Sequence, residues 1–109
     1  MAKSLTYLVG VIDKNLDILH SRLEGVSLNR FAEDPLLLDA VRFRLAQILQ
    51  AALSIKDKDK AKFPNIQWIK LKLIRNHIVH SADKVSPEEL YKLAVNDVYE
   101  LQKQLKGNG

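Results

Sequence analysis

One short segment carries most of the side chains in this sequence that could do chemistry. Arg75-Asn76-His77-Ile78-Val79-His80, with Lys72 just before it, gathers two imidazoles, two cations and an amide. An imidazole titrates near neutral pH and can take or give a proton. A guanidinium presents a planar fork of donors that matches a phosphate or a carboxylate. At about 100° per residue on a helix, Lys72, Asn76 and His80 stand on one face at four-residue steps, and His77 and His80 are also near neighbours. Arg75 and His80 lie about 140° apart around the helix axis. They flank a cleft from two sides, and two such helices from two protomers could bring both groups onto one substrate.

Each of these residues also has a plainer reading. A histidine on an apolar face is commonly a satisfied core residue, which leaves that reading open for His77 and His80. Arg75 could serve as a core-edge ion pair to Asp83, Glu88 or Asp97. Histidines three apart can chelate, but no carboxylate stands beside them at a zinc-like spacing and no third ligand is evident, so no metal is expected. The sequence shows neither a serine triad nor a glycine-rich phosphate loop, and no cofactor is expected. The absence of cysteine removes disulfides, thiolate ligands and a cysteine nucleophile.

The elements that position this segment are helical. Leu5, Leu8, Ile12, Leu16, Leu19 and Leu23 form one stripe of a first helix over about Ser4 to Glu24, stopped by Gly25. Tyr7, Val11 and Ile18 make a thinner line, either partly covered by a neighbouring helix or a self-association face. Asp34-Pro35 opens a second helix, with an N-cap aspartate before a first-turn proline. Leu37, Leu38, Val41, Leu45, Ile48, Leu49 and Ala52 form its stripe, and it ends near Ile55. Lys56 to Lys62 alternates charges and reads as a solvated loop or as a positive rim beside a nucleic-acid groove. Phe63-Pro64-Asn65 leads into a third helix over about Ile66 to Ser81. Ser86-Pro87-Glu88-Glu89 carries the capping-box signature of a fourth, with Leu90, Leu93, Ala94, Val98, Leu101 and Leu105 inward and Gly107-Asn108-Gly109 frayed. The third helix is apolar nearly all round, which predicts a central helix packed on several sides. Short connections predict antiparallel neighbours, and the whole predicts an all-α, four-helix up-down bundle. At 109 residues the chain fits a single domain over 1–109. The net charge of +4 and a pI near 9.4 permit an anionic partner without demanding one. No apolar run is long enough to span a membrane, and Met1-Ala2-Lys3-Ser4 does not open a signal peptide, so a cytoplasmic location is expected.

Arg75 followed by Asn76, with His80 after four intervening residues, resembles the motif of the HEPN superfamily. Phe63-Pro64, Trp68, Ile74-Arg75-Asn76, Leu90-Tyr91, Asn96-Asp97 and the stretch from Asp39-Ala40-Val41 to Ala51-Ala52 resemble its HepT-like branch, small helical proteins paired with a minimal nucleotidyltransferase. The resemblance implies a homodimer whose two motifs face a shared cleft. It implies metal-independent cleavage of RNA, and a toxin role neutralised by a nucleotidyltransferase antitoxin. Arg75 and His80 would be catalytic, Asn76 and His77 supporting, and Lys72 an RNA contact. RNA brings its own nucleophile, the 2′-OH, so a histidine and an arginine suffice for the chemistry. Two positions depart from the family pattern. Ala82 stands where many members carry a tyrosine, the residue that in part of the family receives a nucleotide from the partner. Leu49-Gln50-Ala51 stands where Gly-Glu-Ala is common, which removes a carboxylate. The rival readings are a non-catalytic module that binds nucleotide or nucleotidyltransferase, and a purely structural helical adaptor.

Overall fold

The computed structural model of the chain describes residues 3–107. Met1 and Ala2, on which the leader reading partly rests, and Asn108 and Gly109 of the expected frayed end lie outside them, as does the side chain of Ala82. Among the described residues there is no strand, and the chain is all-helical.

Helix α1 spans Leu5–Leu23, and Ser4 caps it by accepting the Tyr7 amide at 3.1 Å. Its stripe of Leu8, Ile12, Leu16, Leu19 and Leu23 is buried. The chain then reverses in a turn closed by the Val26 amide on the Leu23 carbonyl at 2.9 Å. Glu24 at φ −59°, ψ 122° precedes Gly25 at φ 75°, the type II pattern that favours glycine at its third position. A short helix unforeseen in the sequence, α2 (Leu28–Ala32), follows with Ser27 as its cap. Five residues are too few for a hydrophobic period, yet Phe31 is fully buried there and packs on Tyr91 with ring centroids 5.5 Å apart. The Tyr91 hydroxyl donates to the Val26 carbonyl at 2.7 Å, which ties the turn to the last helix.

Helix α3 (Pro35–Leu53) is capped by Asp34 as the sequence predicts and lies along α1. Between them sits Asn15, a buried polar side chain that donates to the Val11 carbonyl at 2.9 Å and accepts from Arg44 at 3.2 Å. The expected loop after α3 contains a helical turn, α4 (Asp57–Lys60). Its charges pair locally, Lys60 with Asp57 at 3.8 Å and Lys62 with Asp59 at 3.1 Å. Lys56 and Lys58 are in neither pair, so the turn keeps an excess of positive charge.

Helix α5 (Trp68–His80) carries the chemical segment. The expectation that it is central is overturned. Ile78 alone among its residues is buried, while Ile69, Leu73 and Val79 are exposed at 79%, 64% and 48%. The physical reason is that α1, α3 and the last helix already fill the core, and α5 packs mainly against α3. A 3₁₀ turn, Ala82–Lys84, leads to α6 (Pro87–Lys92), capped by Ser86 on the Glu89 amide at 3.1 Å. The helix passes through a π-helical turn at Leu93–Asp97 and continues as α7 (Val98–Gly107). Leu90, Ala94, Val98, Leu101 and Leu105 stay buried across that turn, and Leu93 is half-buried. Asp13 of α1 accepts from Gln102 at 2.6 Å and pairs with Lys106 at 3.2 Å, which fixes α7 on α1. Fully buried side chains such as Ile12, Phe31, Leu45 and Leu90 each contribute roughly 1.5–3 kcal/mol through removal from water. No helix of the described residues is long and apolar enough to cross a membrane.

Candidate functional site

The site is built where α5 lies on the C-terminal half of α3. Arg75 is half-buried on the side of α5 that meets α3. Its Nη1 donates to the side-chain oxygen of Gln50, and its Nε donates to the side-chain oxygen of Asn76 at 2.9 Å. None of the carboxylates weighed as partners in the sequence, Asp83, Glu88 or Asp97, pairs with it. Both of its partners are neutral amides. They orient the guanidinium without cancelling its charge, so part of the fork and the full positive charge remain available to an anion.

His80 closes the same helix two turns on from Lys72 and is exposed. Among the described residues its imidazole has no hydrogen-bond or ion-pair partner, so it is not a satisfied core histidine. Ile69, Leu73, Asn76 and His80 fall within about 60° of arc on the helix, so the candidate acid–base group shares its face with two exposed aliphatic side chains. Lys72 is exposed at the edge of that face. Asn76, between the directions of Arg75 and His80, links the two halves of the motif through its bond to Arg75.

His77 neighbours His80, about 60° around the helix, but does not join Arg75. It turns about 160° away from Arg75, into a cleft of about 370 Å³ between α5 and α6 floored by Ile74, Ile78, Val85 and Leu93. There its Nε2 lies 3.6 Å from a carboxylate oxygen of Glu89. Glu89 was expected to complete a capping box. Its side chain instead meets the Ser86 hydroxyl at 3.4 Å and His77. The sequence brought Gln50 to notice only as a missing carboxylate. Its role as the residue that holds Arg75 follows from the packing of α3 on α5, which no local signal specifies.

These positions can be set beside known proteins. No solved structure matches the chain. A protein of Caldanaerobacter subterraneus subsp. tengcongensis named "Putative RNase" is 24% identical over 90 residues, covering 83% of this chain and 80% of its own length. The model of the family described as ribonuclease HepT-like matches residues 12–107, a span that holds α5 with Arg75 and His80, and α3 with the Gln50 that orients the arginine. With nearly the whole chain inside that match, the protein belongs to the HepT-like ribonuclease family.

Proposed function

We propose that this protein is an RNA-cleaving enzyme of the HepT type that works as a homodimer, with Arg75 and His80 as its catalytic residues. The observation that carries this reading is the pairing of an arginine held only by neutral amides with a partner-free, exposed histidine on the same helix. Arg75 binds the scissile phosphate and stabilises the charge that grows on its non-bridging oxygens. One imidazole takes the proton of the 2′-OH as that oxygen attacks phosphorus. The bond from phosphorus to the 5′ oxygen breaks, and a protonated imidazole gives its proton to that leaving oxygen. The products are a 2′,3′-cyclic phosphate and a free 5′-OH. The roughly 140° between Arg75 and His80 on one helix is the reason to invoke two protomers, each lending one imidazole to a shared cleft. The exposed apolar side chains of Ile69 and Leu73, on the His80 face, supply the surface for that pairing. This chemistry needs no metal. In this reading the enzyme is the toxin of a two-gene system, and a minimal nucleotidyltransferase is its antitoxin.

The test is cleavage of mixed cellular RNA in excess chelator by wild type and by His80→Ala, with folding compared by circular dichroism. Wild type is expected to cleave and the variant to lose at least about a hundredfold in rate, the usual contribution of general acid–base catalysis. Equal cleavage by the two proteins overturns the assignment of His80. A second reading, a non-catalytic module that holds the nucleotidyltransferase, is favoured by the departures at Gln50 and Ala82. It expects no cleavage by either protein and co-purification with the product of a neighbouring gene.

A further inference from the structure

A cleft of about 320 Å³ opens between the first turns of α1 and the last turns of α3, lined by Tyr7, Val11, Gln47, Gln50, Ala51 and Ser54. That volume falls in the range of small-ligand pockets, about 300–1,000 Å³. Gln50 belongs to this cleft and to the candidate site at once, because the same side-chain amide accepts from Arg75. The cleft and the Arg75 guanidinium are thus joined through one side chain.

The lining has the makings of a base-binding subsite. Tyr7 is 52% exposed, so its ring is not needed to fill the core. Lys3 stands 5.2 Å from the centroid of that ring, a cation beside an aromatic platform. Gln47 and Gln50 follow one face of α3, three residues apart, with Ser54 one turn further on. The Ser54 hydroxyl donates to the Gln50 carbonyl at 2.8 Å, which keeps its oxygen lone pairs free to accept. Among the described residues the Gln47 amide has no hydrogen-bond partner, so it keeps both a donor and an acceptor. A flat apolar ring, an adjacent amide that can both give and accept, and a nearby cation are the groups that single-stranded RNA uses for stacking, base-edge contact and phosphate contact.

We propose that Tyr7 stacks on an unpaired nucleobase of the RNA, next to the phosphate held by Arg75, with Gln47 meeting the edge of that base and Lys3 moving from the ring to a neighbouring phosphate. The proposal rests on the ribonuclease reading and adds to it a base-binding subsite at the first turns of α1. A duplex keeps its bases stacked on one another and has none to offer Tyr7.

The experiment separates this inference from the reading beneath it. Cleavage by wild type against His80→Ala tests the ribonuclease. Binding of a fluorescein-labelled, single-stranded RNA of mixed sequence to the His80→Ala protein, followed by anisotropy, tests the subsite. Adding Tyr7→Ala is expected to weaken binding by about 5- to 150-fold, the range measured for a base–aromatic stack. Tyr7→Phe keeps the ring and is expected to keep the affinity. Abasic substitutions moved along the RNA are expected to cost affinity at one position with Tyr7 present and at none with Tyr7→Ala. Unchanged binding by Tyr7→Ala beside normal wild-type cleavage overturns the subsite alone. Failure of wild type both to cleave and to bind RNA overturns the ribonuclease reading and the subsite together. Tyr7 is exposed, so loss of the fold does not confuse these outcomes, and the melting curve of the variant checks it.

Discussion

Arg75 is oriented by Gln50 and Asn76, and what distinguishes the pair chemically is that neither carries charge. A hydrogen bond from a charged donor to a neutral acceptor contributes about 1.5–3 kcal/mol net where it is shielded from water, and less where it is open to solvent, as the Arg75–Gln50 bond is, whereas opening a buried ion pair costs about 3–5 kcal/mol. Arg75→Ala is therefore expected to lower the unfolding free energy by about 1–3 kcal/mol in urea titrations, since two charge-assisted bonds are lost from a half-buried group whose contact with Gln50 is open to water. The same variant is expected to flatten the dependence of single-stranded RNA affinity on salt, lowering the log–log slope by about 0.7 for one lost phosphate contact. A loss near 4 kcal/mol with an unchanged slope would mark Arg75 as structural, as the adaptor reading holds. The motif residues themselves were legible in the sequence, because their spacing places them on a helix. The partner of Arg75 was not, because Gln50 lies 25 residues away and three carboxylates were nearer in the chain.

Helix α5 is where the pattern in the sequence misled most instructively. Apolar residues all round a helix mean that every side is to be covered, but they do not say by what. Within this chain α3 covers one side, and Ile69 and Leu73 remain at 79% and 64% exposure. In the dimer proposed above, a second α5 covers them. Leu73→Asp is expected to leave circular dichroism unchanged, because the side chain contributes little to the core of the monomer. It is expected to halve the mass measured by light scattering and to reduce cleavage with it. A variant that stays dimeric would place the dimer interface elsewhere. The other elements were legible to the extent that they were long or capped: Ser4, Asp34 and Ser86 each bond the amide three residues on. Helix α2 escaped notice because it spans one turn, and the π-helical turn at Leu93–Asp97 because it leaves the inward stripe intact. Such turns occur often at functional sites, and this one places Asp97 at the edge of the cleft that His77 lines.

At the scale of the whole molecule, one core joins α1, α2, α3 and the last helix, and α5 lies on its flank. Tyr99 reports on that core. Burial raises its phenol above the ordinary 10.0, and the nearby Asp17 carboxylate raises it further. A raised folded-state value means that above pH 10 the native chain holds a proton that the unfolded chain has lost. The resulting stability is fully present below the unfolded value and is lost as pH rises through the folded one. Urea titrations are expected to show the unfolding free energy falling with pH in this alkaline range, with a shallower fall for Tyr99→Phe. Equal slopes for the two proteins would show that Tyr99 ionises alike in both states.

The helical class, the three strong caps, the inward stripes of α1, α3 and the last helix, and the grouping of Arg75, Asn76 and His80 all follow from local periodicity and local hydrogen bonding, which neighbouring residues in the chain specify among themselves. The hold of Gln50 on Arg75, the flanking place of α5 and the cleft beside Tyr7 depend on which helix meets which. That is settled by how the elements share a limited core, and it couples residues 25 or more apart in the chain, beyond the reach of any local pattern.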